Sequence, residues 1–224
     1  MFNWHEEARQ QWNERAGHWN KGSREMWDSG SRSTVIPFLQ RYAAKGAAVL
    51  DVGCGDGYGA YKAGQAGYVV CGVDLSENMI EMAKQHEEKG RLTFLQADLA
   101  ALPFSDEAFD AVMAVNSLEW TAQPLQALEE MRRVLKSGGH ACVAILGPTA
   151  MPRTNSYRRL YNEPVICNTM MPWEFAKLAA ENGFTIIDGQ GVYKREVREQ
   201  HVAGLPAELR QAVSFLWVFM LQKS

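Results

Sequence analysis

The 224-residue chain has no long apolar run: the longest, FLWVFML at 215–221, is far short of the roughly 20 residues that a helix needs to span a bilayer. No membrane span is expected. Cysteine is scarce too. Cys54, Cys71, Cys142 and Cys167 form no CxxC pair, and three of them fall in apolar strand-like runs or at a strand end, so neither a metal site nor a disulfide framework is expected. Buried thiols in a reducing compartment fit that usage. Excess positive charge is absent as well, since the formal net charge is −3, and this disfavours a nucleic-acid partner. The opening also lacks the basic residues and apolar run of a signal peptide, because Asn3, His5, Glu6 and Glu7 come directly after the start. A cytoplasmic protein is expected, with no internal repeat and no low-complexity linker.

What is present is 46% hydrophobic content, enough for one well-filled core in a chain that is expected to form a single domain over 1–224. AAVLDV, YVVCGVD, RLTFLQ, FDAVMAV and HACVAIL are apolar at nearly every residue, the pattern of strands covered on both faces and hence of a parallel sheet. Amphipathic helices alternate with them. SENMIEMAKQHEEKG opens on a Ser cap and stops at Gly90, while Pro124 to Leu135 repeats apolar residues at helical spacing and is expected to close at KSGG. This βαβ rhythm predicts an α/β, doubly wound sheet with its ligand crevice at the carboxyl ends of the strands. Residues 171–224 predict a helix over Pro172–Asn182, a strand at FTIID, a short helix and a last strand, FLWVFMLQK. Residues 1–46 predict a helical cover, in which Gly17 and Gly22 are expected to break the helix.

VLDVGCGDGYGA at 49–60 carries the chemistry. A strand ends at Val52 and a helix begins near Tyr58, so Gly53, Gly55 and Gly57 can take positive φ and let a ligand lie against the backbone. Such turns serve dinucleotides, phosphates and sulfonium nucleosides alike, and from Gly55 the run even reads GxGxxA through Gly57 and Ala60. The carboxylates discriminate. Asp74 ends the second strand, where it can accept both hydroxyl protons of a ribose, a feature shared with NAD enzymes. Asp51 precedes the loop, where a pyrophosphate would gain nothing from added negative charge but a ligand bearing an amino group would. Asp98, in QADLAALPF, is suited to accept from an exocyclic amine. Together these acids suit an amine-bearing, phosphate-free nucleoside.

Residues 49–146 resemble the class I S-adenosylmethionine-dependent methyltransferases, in particular the small-molecule branch called type 11. The matching pieces are VLDVGCGDGYGA, GVDLSENMIEMAK, FLQADLAALPFSDEAFDAV, SLEWTAQPLQALEEMRRVLKSGG and, more weakly, PWEFAKLAAENGFTII. The resemblance implies a seven-stranded, mostly parallel sheet of order 3-2-1-4-5-7-6 with strand seven antiparallel, for which FLWVFMLQK is the last strand. It also implies S-adenosyl-L-methionine as cofactor and methyl transfer to a small-molecule acceptor. By position, Gly53, Gly55 and Gly57 would hold the methionine and ribose part, and Asp51 would face the amino end. Asp74 would bind the ribose hydroxyls, with Leu75 and Met79 against the adenine. Asp98 would take the adenine amine, the Leu99 N–H a ring nitrogen, and Asn116 would lie beside the methyl group. On this reading residues 47–146 are the cofactor-binding core, 147–170 a second cover insertion, and 171–224 the C-terminal part of the sheet.

Where relatives often carry a histidine, this chain has Leu118, Glu119 and Trp120, leaving Glu119 and His18 as candidates for any general base. Trp4, Trp12, Trp19 and Trp27 recur at intervals of eight, seven and eight, either as a helix's packing stripe or as walls of an aromatic pocket. Arg153, Arg158 and Arg159 form either an acidic-substrate site or a solvated face. Two other functions stay open on the residues: a non-catalytic S-adenosylmethionine-binding partner subunit, which the intact loop permits, and an NAD(P)-dependent oxidoreductase, which Asp51 and QADLAALPF disfavour.

Overall fold

In the computed structural model, which describes residues 2–224, α1 (Trp4–Asp28) and α2 (Val35–Leu39) precede β1 (Ala48–Val52). Then follow α3 (Tyr58–Gln65), β2 (Val69–Asp74), α4 (Glu77–Ala83), β3 (Leu92–Gln96), β4 (Phe109–Val115), α5 (Pro124–Val134) and β5 (Leu135–Leu146). The chain closes with α6 (Pro172–Glu181), β6 (Phe184–Val192), α7 (Glu199–Val202), α8 (Ala207–Ala212) and β7 (Leu216–Lys223). The sheet order is β3-β2-β1-β4-β5-β7-β6, and β7 runs antiparallel to both of its neighbours. This is the sheet that the family resemblance implied.

Apolar side chains leave both faces of the sheet, which is why the strands read as unbroken apolar runs. On one face Val49, Val70 and Met113 pack with Phe38, Leu39, Ala60 and Ile80 from α2, α3 and α4. On the other, Leu50, Val112 and Val143 pack with Leu128, Met131 and Phe175 from α5 and α6. The parallel strands β1, β2 and β4 therefore end together at one edge, and the crevice at that edge has α1 over it.

Two local expectations are corrected. Gly17 and Gly22 do not break α1, which runs unbroken from Trp4 to Asp28. A β-carbon at either glycine would meet nothing within 4 Å, so the two cost helix propensity of about 1 kcal/mol each, and packing of Ala8, Ala16, Ser23 and Trp27 offsets it. Nor does KSGG stand between helix and strand. α5 ends at Val134 and β5 begins at Leu135, but Phe109 pairs Leu135 while Ala111 pairs His140. Lys136 to Gly139 therefore bulge out of the ladder, with Gly138 at φ +71.

Trp27 fixes the near end of α1 on α3, since its ring occupies the place where a β-carbon on Gly59 would be. Gly59→Val is expected to lift this end of α1, at an overpacking cost of about 1–3 kcal/mol. Urea unfolding reads the loss, and limited proteolysis reads new cleavage between residues 1 and 34; an equally resistant variant would show that α1 is held elsewhere.

Candidate functional site

The turn from β1 to α3 is built by positive-φ glycines with different jobs. Gly53 (φ +72) and Gly57 (φ +78) are bare because the protein fills the space: a β-carbon on Gly53 would collide with Ser117, and one on Gly57 would come within 2.7 Å of Ala83. Gly55 (φ +55) instead opens onto the cleft, where the nearest atom to its missing β-carbon is Trp19 Nε1 at 3.4 Å. Of the three, Gly53 and Gly55 line the cleft and Gly57 does not. The shared turn geometry hides this division in the sequence.

A cleft opens at the carboxyl ends of these strands, beneath α1. Its floor brings together Asp51, Asp74, Leu75, Met79, Leu99 and Asn116. A side cavity lined by Leu75, Leu99 and Asp98 adjoins it. Asp74 shapes the loop as well as facing the cleft: its Oδ2 accepts from the Gly55 N–H and its Oδ1 from the Ser76 N–H, both at 2.9 Å. Asp98 accepts from the Ala100 N–H at 2.9 Å, and His5 Nδ1 lies 3.1 Å from its other oxygen. Asn116, just past β4, takes φ +56, a conformation asparagine tolerates better than most residues.

Asp51 is the electrostatic centre. It is 2% exposed, and burial, reinforced by the negative charge of Asp74, pushes its carboxyl up to about 7 although Arg32 pulls the other way. Asp56, which the sequence reading left without a role, ties the roof to the loop: its two oxygens accept from Ser23 Oγ at 2.8 Å and Asn20 Nδ2 at 3.0 Å. The roof is aromatic. Trp12 meets Trp19 and Trp120 edge to face at 5.6 and 5.0 Å, and Trp4 Nε1 donates to the Trp120 carbonyl at 2.9 Å. Trp12, Trp19, Trp27 and Trp120 all line the cleft, so the stripe both packs α1 and walls the site. Arg32 and Trp120 were likewise missed, and no motif in the sequence marks them.

Other candidates lie outside the cleft. Glu119 is fully buried but turned toward β5, where its Oε1 accepts the Leu146 N–H at 2.6 Å; burial raises its carboxyl. His18 is on the exposed side of α1. The arginines of 147–170 are consumed internally. Arg153 donates to the carbonyls of Leu146, Gly147, Thr169 and Met170, clipping the base of the segment shut. Arg158 pairs with Glu163, and Arg159 donates to the Ser156 carbonyl. None of residues 147–170 lines the cleft, so its cover comes from α1 and the loop after it.

Sheet order and the position of the cleft define a class I S-adenosylmethionine-dependent methyltransferase fold. Residues 50–143 match the family model described as Methyltransferase domain, Methyltransf_11. It is similar to the malonyl-[acyl-carrier protein] O-methyltransferase of Erwinia pyrifoliae, at 36% identity over 44% of this chain and 37% of that one. It is also similar to the demethylmenaquinone methyltransferase of Lactococcus lactis, at 39% over 46% and 44%. The match to the biotin biosynthesis bifunctional protein BioHC of Teredinibacter turnerae spans 61% of this chain but 26% of that protein, at 31% identity. The chain thus spans about a quarter to somewhat under half the length of these curated relatives. Among solved structures, a putative methyltransferase from a complex with the Haloferax volcanii Trm112 activator superposes with TM-score 0.75 over 96% of both chains at 18% identity, a likeness of fold.

S-adenosyl-L-methionine is the cofactor that this family and fold imply, and the chain's own residues fit it. Gly55 leaves backbone open to the cleft, and Asp51 is buried there with no hydrogen bond contributing to its charge state. Ser117 Oγ and Arg32 Nε are buried without partners among the described residues.

Two predictions follow from this geometry. Because the folded-state value of Asp51 (about 7) lies above its ordinary 3.8, the folded chain binds more protons than the unfolded chain between those values, and stability falls as pH rises through that window. Asp51→Asn is expected to remove this fall, worth at most about 4 kcal/mol at 1.36 kcal/mol per pKa unit. Melting temperature against pH reads it, and parallel curves for the two proteins would refute it. Gly55→Val is expected to abolish nucleoside binding in calorimetry, because a β-branched residue resists φ +55 and projects into the cleft.

Proposed function

We propose that this protein transfers the methyl group of S-adenosyl-L-methionine to a small-molecule acceptor by in-line displacement. The observation that carries the reading is the placing of two cleft-facing carboxylates, Asp51 and Asp74, on either side of an open Gly55. That arrangement favours a cationic, phosphate-free nucleoside over a dinucleotide. Asp51 takes the amino end, Asp74 the ribose hydroxyls, and Leu75 and Met79 the faces of the adenine. Asp98 and the Leu99 N–H read the adenine edge, and Asn116 stands beside the methyl group. When bound, the cofactor supplies a sulfonium that already activates the methyl group. The chain's work is then alignment and exclusion of water, and alignment alone can supply up to about 7–11 kcal/mol. With Glu119 and His18 directed elsewhere, no side chain of the cleft is assigned as general base.

The enclosed, tryptophan-walled cleft supports an acceptor of small-molecule size. Relatives are named for malonyl-[acyl-carrier protein] and for demethylmenaquinone, and the cover that distinguishes acceptors lies in α1. The described residues hold no helix long and apolar enough to cross a membrane, and all four cysteines are free thiols. A reducing, cytoplasmic location is consistent with those thiols, and the net charge of −3 disfavours nucleic acid as acceptor.

Calorimetry with S-adenosylhomocysteine, followed by label transfer from S-adenosylmethionine to a panel of small acceptors, separates an enzyme from a non-catalytic binding subunit; NAD is expected not to bind. Asp74→Asn is expected to weaken S-adenosylhomocysteine at least about tenfold, or ~1.4 kcal/mol, because it replaces charged acceptors of ribose hydroxyls by a neutral amide. Unchanged affinity in a folded variant would overturn the ribose assignment.

A further inference from the structure

Ala8, Leu75, Leu99 and Trp120 line both the cleft and the side cavity that adjoins it, so the two meet across an apolar throat. Beyond the throat the wall comes from Trp4 and His5 of α1, from Asp98 after β3 and from residues 121–123 after β4. Only two of the side chains lining this cavity, His5 and Asp98, are ionisable.

These two side chains meet. Asp98 Oδ1 accepts from the Ala100 N–H at 2.9 Å, and His5 Nδ1 lies 3.1 Å from Oδ2. A carboxylate oxygen accepts and cannot donate, so a ring nitrogen at that distance carries the proton. The place of His5 is itself set by its neighbours. Next to it Trp4 Nε1 donates to the Trp120 carbonyl at 2.9 Å, and two turns on Asn13 Oδ1 accepts from Ser76 Oγ at 2.6 Å. The imidazole is thus brought to Asp98 by the way α1 lies on the body of the fold. As a source of stability the pair is minor, because its side chains are 45% and 34% exposed, and ion pairs in such a setting contribute little. Its effect is on orientation. With Oδ2 held from above and Oδ1 from the Ala100 N–H, the carboxylate cannot turn outward to water.

A carboxylate whose partners are both N–H donors presents only lone pairs to the cavity. An amino group on a ligand meets them with a charge-assisted hydrogen bond, whereas a ligand without that group leaves the acceptor unpaired when it covers it. We propose that His5 is a positioning residue for the cofactor's base: by holding Asp98 Oδ2 it fixes the carboxylate against the amino group of adenine. The cover α1, and not the loop after β3 alone, then selects a 6-aminopurine. The inference rests on the methyl-transfer reading above, which gives Asp98 the adenine amine, and adds to it a residue from the first turn of α1.

The test compares S-adenosylhomocysteine with its 6-deamino analogue, in which hydrogen replaces the amino group and the rest of the molecule is kept. In calorimetry the wild-type chain is expected to prefer S-adenosylhomocysteine by about tenfold, and His5→Leu is expected to bring that preference to about threefold or less. His5→Asn, whose side-chain amide offers an N–H in place of Nδ1, is expected to restore the wild-type preference. Looser packing of α1 weakens both probes alike and leaves their ratio unmoved, so the ratio reports the orientation of Asp98 and not the hold on the helix. A wild-type ratio in folded His5→Leu, or a His5→Asn variant as undiscriminating as His5→Leu, overturns the proposal. The wild-type chain also decides without any variant: equal affinity for the two probes overturns the proposal and leaves methyl transfer in place. Wild-type protein that binds neither probe would instead overturn the methyl-transfer reading itself, and this proposal with it.

Discussion

Asp51 lies on β1, an inner strand of the sheet, 2% exposed, with no cation paired to it among the described residues, and the edge of the fold is organised around that desolvated carboxyl. A charge placed there is unfavourable unless something offsets it. Arg32 lies close enough to pull its ionisation down but not to form an ion pair. Burial and the charge of Asp74 push in the opposite direction. Arg32 thus offsets only part of that burden, and the proposed cationic cofactor answers the remainder. A phosphate would worsen it, which is the electrostatic reason why this glycine turn differs from the dinucleotide turn it superficially matches.

Helix α1 turns that open edge into a cleft. Its contacts run along its whole length: Trp4 on Trp120, His5 on Asp98, Arg9 on Glu77, Asn13 on Ser76, and Asn20 with Ser23 on Asp56. Exposed ion pairs such as Arg9 with Glu77 contribute ~0–1 kcal/mol, so the outer half of α1 is held more by Trp4 and Trp12 on Trp120 than by its charges. Trp27 is packed on Gly59, and Arg32 lies against both Trp19 and Trp27. The helix is therefore held by aromatic packing at both ends, through Trp27 on Gly59 and through Trp4 and Trp12 on Trp120.

The second apparent cover, 147–170, is built differently. Arg153 uses its guanidinium to gather four backbone carbonyls at the two ends of the segment, and Asn168 bonds to the carbonyls of Leu118 and Thr121 at 2.8 and 2.9 Å. With Glu119 on the Leu146 N–H, these bonds join the turn after β4 to the end of β5. Polar side chains that look available for a substrate in the sequence are used here to satisfy backbone groups that would otherwise be buried unpaired.

Much of this was legible in the order of the residues. Continuous apolar strands required a sheet covered on both faces, and family resemblance supplied its strand order. The positions of Asp51, Gly55 and Asp74 at strand ends located the cleft, because these are local relations set by where a strand stops. What the sequence could not reveal depended on contacts between residues far apart in the chain. It could not show that a β-carbon on Gly53 or Gly57 would collide with Ser117 or Ala83 while one on Gly55 would open onto the cleft, since all three share one backbone pattern. Gly17 and Gly22 looked like helix breaks because local propensity ignores the packing that holds α1 straight. Arg32 carries no motif, and only the tertiary fold removes it from water and sets it in the cleft with Asp51, its Nε unpaired among the described residues.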